Sequence, residues 1–443
     1  MTPVLRWRLA PAQLRAARLD VPGDKSITHR AILCGLLGAG ETAIVGANPG
    51  ADARTTLAAA RALGAQVSEA DGVLRIRGTA GALAEPADVL DCGNSGTALR
   101  LLAGVLAARP LLAVLTGDPS LRSRPVDRVV RPLREMGANL SARAGDRLPP
   151  LVVRGAELRG ASFLEPTGSA QVASAVLFAG LSARGETRVR VNTGVRDHTV
   201  RMLPAFGARV EVERSADGSG EWRVSGEQTL SATRVEVPGD PSAAAFFAAA
   251  AAITPGLSIE IANVSLNPTR LGFFEVLREM GASIEVERGP DRAGEPAGSL
   301  RVAGPAELRA VEVGASRVPA MVDEIPAWAV VAAVARGTSQ LSGAGELRVK
   351  ESDRLRALAA NLTSLGVAVV ERAEGLEITG GAVNGGTVRA GGDHRIAMAF
   401  AILAARAAKP IEIDDAAMVA TSFPGFAAAW RSLGGPLEEG EMD

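Results

Sequence analysis

The sequence predicts an α/β fold of two similar domains, because one short phrase recurs six times along the chain and a second phrase recurs once. The first phrase is a helix end, then a glycine, then an alternating run typical of a strand. A glycine at that place ends a helix in the left-handed conformation. The alternation at Val210 and Val212, and at Ile284 and Val286, predicts strands with one face inward. The six glycines are Gly64, Gly137, Gly207, Gly281, Gly366 and Gly434.

The near-even spacing of these glycines indicates an internal repeat. One copy would be an ordinary junction between a helix and a strand, but six copies separated by 68 to 85 residues indicate six α/β units. The second phrase, VPGDKS at Val21, recurs as VPGDPS at Val237 and groups the units into two sets of three. We therefore expect an N-terminal domain over residues 21–237 and a C-terminal domain over residues 238–443, which residues 1–20 join through a short strand.

The composition argues against several functional classes. Lys and Arg total 48 while Asp and Glu total 49, so no net field would hold the chain on nucleic acid or an anionic membrane. Two cysteines, Cys34 and Cys92, support neither a disulfide framework nor a cysteine zinc site. The longest apolar run, 243–253, is too short to span a bilayer. We expect a cytoplasmic monomer, without metal or cofactor, that recognises anions only locally.

Several apolar helices carry their polar residues in the first turn. Free N–H groups and the helix dipole make that position favourable for a phosphate or a carboxylate. In VPGDKSITHR, Ser26 and Arg30 lie on one helix face beside Lys25, so this face can hold a phosphorylated ligand. A capped surface helix explains the same string equally well.

Three more segments of the first half have the same character. Gly96, in DCGNSGTALR, allows backbone N–H groups to approach a ligand closely, although a glycine-rich turn before a buried helix is the alternative. Arg124 precedes Pro125 at the predicted first helical position, where an extended guanidinium can bind a carboxylate or a phosphate. Ser169 and Gln171 begin another apolar helix and suit a polyol or a phosphate.

The second half contains most of the candidate acid–base groups. Asp323 lies just before an apolar helix, and Glu351 and Arg354 lie within one helical turn of each other. Arg395 follows Asp393 and His394 at the start of a further helix. A carboxylate enclosed by cations, in a site that excludes water, can carry a proton. Helix capping alone would explain one of these carboxylates.

Taken together, these strings resemble the 5-enolpyruvylshikimate-3-phosphate synthase family of enolpyruvyl transferases. GDKS, GNSGTALR, RSRP, SAQ, RVKESDRL and DHRIAMAF occur in that family's order and approximate spacing, from Val21 to Pro424. The resemblance implies two domains, each of three βαβαββ units around a pseudo-threefold axis, an inside-out α/β barrel with its active site in the interdomain cleft. It also implies transfer of the enolpyruvyl group of phosphoenolpyruvate to the 5-hydroxyl of shikimate 3-phosphate, the glyphosate-sensitive step of aromatic amino-acid biosynthesis in the shikimate pathway.

The resemblance also assigns roles to single residues. Asp323 would accept the hydroxyl proton and Glu351 would protonate the methylene carbon, with Lys25 a rival proton carrier. The residues expected to bind phosphoenolpyruvate are Lys25, Gly96, Arg124, Gln171, Arg354 and Arg395. The residues expected to bind shikimate 3-phosphate are Lys25, Ser26, Arg30, Ser169, Ala170 through its backbone, Gln171, Arg196, Asp323 and Lys350.

The chain departs from the family at several positions. Leu101 stands where many members have a proline, and Thr421 stands near the place of a lysine that binds phosphoenolpyruvate. RDHTV ends in Val200 and SAQVA in Ala173, where the second class of the family has Glu and Lys, so features of both classes are mixed. Two alternatives stay open: a UDP-N-acetylglucosamine enolpyruvyl transferase, whose loop cysteine is missing from residues 118–125, and a non-catalytic repeat scaffold that binds anions.

Overall fold

The structure is a computed structural model that describes residues 4–166 and 168–442. Its strands are β1 (Val4–Leu9), β2 (Ala17–Asp20), β3 (Glu41–Val45), β4 (Gln66–Ala70), β5 (Val73–Arg77), β6 (Leu90–Asp91), β7 (Leu112–Thr116), β8 (Asn139–Ala142), β9 (Leu148–Arg154), β10 (Ser162–Glu165), β11 (Glu186–Val191), β12 (Val210–Arg214), β13 (Gly220–Ser225), β14 (Arg234–Glu236), β15 (Ser258–Ser265), β16 (Ser283–Arg288), β17 (Ala297–Ala303), β18 (Glu312–Val313), β19 (Thr338–Leu341), β20 (Ala368–Arg372), β21 (Gly375–Thr379), β22 (Gly386–Val388), β23 (Ile411–Ile413) and β24 (Glu438–Met442).

Helices alternate with these strands along the chain. They are α1 (Lys25–Leu37), α2 (Ala51–Ala62), α3 (Gly96–Ala107), α4 (Asp127–Glu135), α5 (Arg143–Asp146), α6 (Ala170–Gly180), α7 (His198–Met202), α8 (Pro241–Ile253), α9 (Gly272–Glu279), α10 (Ile325–Ala332), α11 (Arg354–Ser364), α12 (His394–Leu403) and α13 (Phe426–Ser432).

The described chain divides into two compact units. The N-terminal unit contains Gly23–Pro238 together with Asp291–Glu295, and the C-terminal unit contains the remaining described residues. This grouping places Asp291–Glu295 differently from the sequence prediction, which assigned it to the C-terminal domain. The physical reason is that Glu295 is buried and its carboxylate pairs with His198, a residue of the N-terminal unit.

Six four-stranded sheets repeat one strand order. In each sheet a parallel pair is followed by two antiparallel strands, and the strand that follows a repeat glycine lies at the edge. The orders are β14-β3-β5-β4, β6-β7-β9-β8 and β10-β11-β13-β12 in the N-terminal unit, and β2-β15-β17-β16, β18-β19-β21-β20 and β22-β23-β1-β24 in the C-terminal unit. In the sheets β6–β9, β10–β13 and β18–β21 the strands are consecutive and form βαβαββ units with the helices between them, as the resemblance implies, whereas each of the other three sheets takes one strand from a distant part of the chain.

Strands from distant parts of the chain complete the sheets. β1 pairs antiparallel with both β23 and β24, which confirms the predicted strand near the N-terminus and its place in the C-terminal unit. β14 pairs in parallel with β3 and so completes the first sheet of the N-terminal unit. Both of these strands belong to the unit whose sheet they complete.

The repeat glycines adopt the conformation that the sequence predicts. All six have positive φ, from +80° at Gly207 to +112° at Gly281. The strands that follow are less buried than predicted, because they are edge strands. Of the residues predicted to face inward, Ile284 is buried and Val210 is half-buried, but Val212 on β12 and Val286 on β16 are 38% and 50% exposed, so the prediction is wrong for these two.

The central helices of each unit are buried along their length. All 13 residues of α8 are buried, and α8, α10 and α12 pack against one another in pairs. In the N-terminal unit α3 packs against α1 and α6. Strands such as β11 alternate exposed and buried residues, so one sheet face covers the helices and the other meets solvent. This is the inside-out α/β arrangement.

Close packing of α3 on α6 gives a testable prediction. A methyl group added at Gly104 would lie 2.1 Å from the carbonyl oxygen of Ala175 on α6, whereas one added at Gly35 on α1 would lie 3.4 Å from its nearest atoms. We expect Gly104→Ala to lower the free energy of unfolding by about 1–3 kcal/mol. Gly35→Ala should be neutral or slightly stabilising, because alanine favours a helix. Urea midpoints followed by circular dichroism compare the two, and equal midpoints would contradict the packing.

Candidate functional site

The first candidate group lies at the start of α1. Asp24 caps this helix by accepting a hydrogen bond from the N–H of Ile27 at 2.9 Å, as its position before a polar first turn predicts. Lys25 Nζ lies 2.7 Å from Asp52 Oδ2, and both side chains are largely buried. Ser26 follows and is half-buried. The lysine is therefore held in place by a carboxylate from α2 and not by solvent.

Arg30 is fixed by three hydrogen bonds. Its guanidinium donates to Thr199 Oγ1 at 2.7 Å, to Ser174 Oγ at 2.7 Å and to the carbonyl of Ser26 at 2.9 Å. Burial lowers the pKa of Arg30 to about 10, although the carboxylates of Asp24 and Glu295 act to raise it. The group stays charged at neutral pH, so a cation in a fixed orientation is available at this position.

Arg196 belongs to the same region of the N-terminal unit. Its positive charge is one of the influences that lower the pKa of Arg30, so the two guanidinium groups are close enough to interact. Two like charges close together repel each other, and an anion bound between them would reduce this repulsion. His198, two residues on, is buried, and its Nδ1 lies 2.7 Å from Glu295 Oε1.

A second group forms where α3 and α6 begin. Ser95 and Ser169 cap these helices with their hydroxyl groups, and Gly96 and Ala170 are the first helical residues. The backbone N–H of Ser169 donates to Glu165 Oε2 at 2.7 Å, and Glu165 is buried. Two helix starts with free N–H groups are thus fixed within one unit.

Arg100 joins these two helix starts. Its guanidinium donates to Gln171 Oε1 at 2.8 Å, to the carbonyl of Pro125 at 3.0 Å and to the carbonyl of Gly96 at 3.2 Å. Gln171 in turn donates from Nε2 to Thr97 Oγ1 at 2.8 Å. The orientation of the Gln171 amide is therefore set by residues of α3.

Arg124 lies beside the same helix start with extended backbone, φ −87° and ψ 142°. It donates to Asn94 Oδ1 at 2.6 Å, to Ser120 Oγ at 2.9 Å and to the carbonyl of Asn94 at 3.1 Å. The extended conformation agrees with the sequence prediction, but the predicted helix boundary is wrong. Pro125 precedes Val126, the cap residue of α4, and the helix begins at Asp127.

The C-terminal unit brings a third group together around Arg354. This guanidinium is buried and donates to Asp393 Oδ2 at 2.7 Å and to Glu351 Oε2 at 2.6 Å. Its Nη1 lies 3.5 Å from Asp323 Oδ1 and makes no hydrogen bond with the residues that the structure describes. Arg395 Nη1 donates to the carbonyl of Asp323 at 3.0 Å. Asp323, Glu351, Arg354 and Arg395 therefore form one cluster.

The electrostatics of this cluster favour charged groups. Burial alone would lower the pKa of Arg354, but Asp393 and Glu351 outweigh it and raise the pKa above its usual range. For Asp393, burial acts to raise the pKa, and the charge of Arg354 outweighs burial and lowers it. Lys350 lies apart from these contacts, because its Nζ pairs with Glu346 Oε1 at 3.0 Å. Thr421 is buried at the end of the 3₁₀ turn Ala416–Thr421.

Several contributing residues have no sequence signal of their own. Asp52, Ser174 and Thr199 hold Lys25 and Arg30 by contacts between residues 27 to 169 positions apart in sequence. Only their positions could have indicated two of them, because Ser174 and Thr199 lie just after the SAQ and RDH strings.

Other kinds of site find no support in the part of the chain that the structure describes. It contains no group of three His, Cys, Asp or Glu residues placed to hold a metal ion. None of its helices has the length and apolar character needed to cross a membrane. Cys34 and Cys92 are buried, and burial raises the pKa of both thiols, which disfavours a nucleophilic role.

Comparisons with known proteins agree on one family. The model of the family "EPSP synthase (3-phosphoshikimate 1-carboxyvinyltransferase)" matches residues 10–430. Proteins named 3-phosphoshikimate 1-carboxyvinyltransferase from Acidiphilium cryptum and Granulibacter bethesdensis are both 48% identical, over 97% and 98% of this chain and 96% of each relative. The solved structure of EPSP synthase from Acinetobacter baumannii is similar with a TM-score of 0.86 and 38% identity, covering 98% of this chain and 100% of that one.

The buried imidazole of His29 gives a pH-dependent prediction. Burial lowers its pKa well below the usual value, and the charges of Lys25 and Arg30 lower it further. The unfolded chain takes up this proton near pH 6.5 and the folded chain does not, so stability falls below about pH 6.5, by up to about 1.4 kcal/mol per pH unit.

The matched variant is His29→Gln, which cannot titrate but can still bond to Thr56, whose hydroxyl lies 2.6 Å from His29 Nδ1. Urea midpoints measured from neutral pH to about pH 5.5 should fall more steeply for the wild type than for the variant. Parallel curves would show that His29 does not contribute.

Proposed function

The chain belongs to the EPSP synthase (3-phosphoshikimate 1-carboxyvinyltransferase) family, and from that membership we propose that it joins phosphoenolpyruvate to shikimate 3-phosphate with the residue groups described above. The observation that carries the assignment of roles is the pair of carboxylates, Asp323 and Glu351, that flank the buried guanidinium of Arg354. Such a cation can bind an anionic substrate while two bases lie beside it.

The reaction proceeds by addition and then elimination. The 5-hydroxyl oxygen of shikimate 3-phosphate forms a bond to carbon 2 of phosphoenolpyruvate, the hydroxyl loses its proton, and the methylene carbon gains one. The tetrahedral intermediate then loses a proton from the new methyl group, the bond from carbon 2 to the phosphate oxygen breaks, and inorganic phosphate leaves. Atoms and charges balance without a redox step.

We assign the proton transfers to carboxylates of the C-terminal unit. Asp323 accepts the hydroxyl proton, and Glu351 delivers a proton to the methylene carbon and removes one in the elimination step. Arg354 supports this assignment, because its buried guanidinium lies beside both carboxylates, 3.5 Å from Asp323 Oδ1 and 2.6 Å from Glu351 Oε2, and so holds them next to a bound anion. Lys25 is the rival proton carrier, although its ion pair with Asp52 favours a binding role.

The binding roles fall to the helix starts. Lys25, Ser26, Arg30 and Arg196 form a cationic, hydroxyl-bearing surface that suits a phosphate with an attached carboxylate. Gly96, Arg124 and Gln171, ordered by Arg100 and Asn94, suit the smaller anion phosphoenolpyruvate. The further proposed binding residues are Ser169, Ala170, Lys350, Arg354 and Arg395.

A coupled assay of phosphate release tests the function against its rivals. Phosphate should appear only when phosphoenolpyruvate and shikimate 3-phosphate are both present. Release with UDP-N-acetylglucosamine instead would support the sister enzyme, which is disfavoured because no cysteine lies in residues 118–125. If no phosphate is released with either acceptor, the result would support the non-catalytic binding scaffold.

We further propose that the enzyme acts as a cytoplasmic monomer. Large exposed hydrophobic side chains of the described residues are dispersed over different strands and loops, for example Val89, Leu164 and Val370, and form no obvious docking surface. The two free cysteines agree with a reducing compartment. Light scattering should give a mass near 45.4 kDa, whereas twice that mass would contradict the proposal.

Glu351→Gln should separate binding from chemistry. The amide cannot exchange a proton, so turnover should fall by about 10²–10⁴-fold. Arg354 keeps Asp393 as a partner, so shikimate 3-phosphate should bind with nearly unchanged affinity in calorimetry. Glu275→Gln, on an exposed position of α9, is the control for loss of a carboxylate. Near-normal turnover in Glu351→Gln would remove this residue from the mechanism.

Gly96→Ala should weaken glyphosate inhibition more than substrate use. A methyl group at Gly96 would lie 2.5 Å from Arg100 Nη1, the group that orients Gln171, so the guanidinium must shift. We expect wild-type inhibition to be competitive with phosphoenolpyruvate, and the inhibition constant to rise far more than KM for phosphoenolpyruvate. Both constants are measured beside Gly35→Ala as control. A wild type insensitive to millimolar glyphosate would show that Gly96 does not decide sensitivity.

A further inference from the structure

Glu324 is a fully buried carboxylate next to Asp323. It accepts a hydrogen bond from Ser242 Oγ, and its Oε1 lies 3.8 Å from a nitrogen of Arg270, which is also buried. Arg270 donates to Ser242 Oγ at 2.8 Å and to Asp240 Oδ1 at 3.0 Å. A charged group is buried at a high cost unless it is paired and hydrogen-bonded, so this network indicates a specific role.

Helix capping does not explain Glu324. Five of the six central helices, α1, α3, α6, α8 and α12, begin after an Asp or Ser whose side chain accepts a hydrogen bond from its own first turn. Glu324 precedes the sixth, α10, and makes no such bond. Its side chain is directed to the start of α8 instead.

The start of α8 is the internal copy of the start of α1. VPGDPS repeats VPGDKS, so Asp240 and Ser242 correspond to Asp24 and Ser26, and Pro241 replaces the lysine. In the first copy this position is proposed to bind a substrate anion. In the second copy the carboxylate of Glu324 occupies the equivalent hydrogen-bonding position on the serine.

The charged residue that pairs with the start of α1 is an aspartate, whereas the charged residue that pairs with the start of α8 is an arginine. The turn after each following strand contains Asn-Pro, at Asn48 and Asn267, and each asparagine accepts a hydrogen bond from an N–H two residues on. Next to the first turn Asp52 pairs with the lysine of α1, and next to the second Arg270 pairs with the aspartate of α8. Arg270 at the second turn thus supplies the positive charge that the buried carboxylate of Glu324 needs.

Asp323 and Glu324 are thereby fixed from two sides. Arg270 and Ser242 hold Glu324, while Arg395 donates to the carbonyl of Asp323 at 3.0 Å. The Asp323 carboxylate then faces Arg354, 3.5 Å away. Rotation of either residue would move the proposed base relative to its neighbours, and small displacements of a catalytic group are costly.

We propose that Glu324 is a positioning residue for Asp323, acting as an internal anion that fills the second copy of the anion site and fixes the turn before α10. This proposal rests on the proposed function, in which Asp323 accepts the hydroxyl proton. The charged group that faces Glu324 is Arg270, which Asp240 also pairs with, and the charged groups that face Asp323 are Arg354 and Arg395.

Glu324→Gln tests the proposal. The amide keeps the shape and can still accept from Ser242, but it cannot pair with the charge of Arg270. We expect kcat per active site to fall roughly tenfold, less than the full loss of a proton acceptor, with KM for phosphoenolpyruvate nearly unchanged. The acid limb of the pH profile of kcat should move to lower pH, because a negative charge beside Asp323 is removed.

A merely structural role would lower the amount of folded enzyme without moving the pH limb. Glu312→Gln, an exposed position in the same unit, controls for loss of a carboxylate. If Glu324→Gln does not fold, Ser242→Ala makes the smaller change and should lower kcat in the same direction. A folded Glu324→Gln with wild-type kcat and pH limb would overturn the positioning role. A wild type that releases no phosphate would overturn the proposed function instead.

Discussion

The burial of the bodies of the central helices is the constraint on which the other features depend. A helix such as α8 or α10 is surrounded by protein, so its body must be apolar and only its first turn can carry polar groups. The free N–H groups of a buried helix start need partners. Aspartate and serine caps supply some, and the remaining N–H groups with the helix dipole favour an anion. The same positions that complete the fold are therefore the positions that we propose to bind charged ligands.

This constraint explains how a chain with a net charge of −1 can contain strongly cationic sites. Two of the buried cations are paired with carboxylates: Lys25 with Asp52, and Arg354 with Glu351 and Asp393. A buried guanidinium without such partners would be costly. The carboxylates hold the cations in fixed positions before a substrate arrives, so binding requires little reorganisation. At Arg354 the paired carboxylate has a second use, because the carboxylate of Glu351 that neutralises the guanidinium can also act as a base.

The sequence predicts what is local and misses what depends on long-range contacts. Gly64 and its five counterparts end helices by a backbone requirement of one residue, so the repeat and the unit order could be predicted from them. Asp24 and Ser95 cap helices within three residues, which places the helix starts. Ser174 and Thr199 orient Arg30 across more than 140 residues, and no local pattern marks them. The exposure of Val212 depends on its strand lying at a sheet edge, which alternation alone does not reveal.

Internal duplication gives the two copies of one helix start different tasks. At α1 the first turn contains a lysine paired with Asp52, so the serine beside it can meet a ligand. At α8 a proline removes both a donor and a charge, and the serine donates inward to Glu324. A proline at the first helical position costs little, since that N–H has no helical partner in any case. One substitution can therefore turn an external anion site into an internal one without loss of the helix. The polar residues at the start of α8, Asp240 and Ser242, are informative. A buried polar group is costly unless it is hydrogen-bonded, so their presence indicates that they have partners.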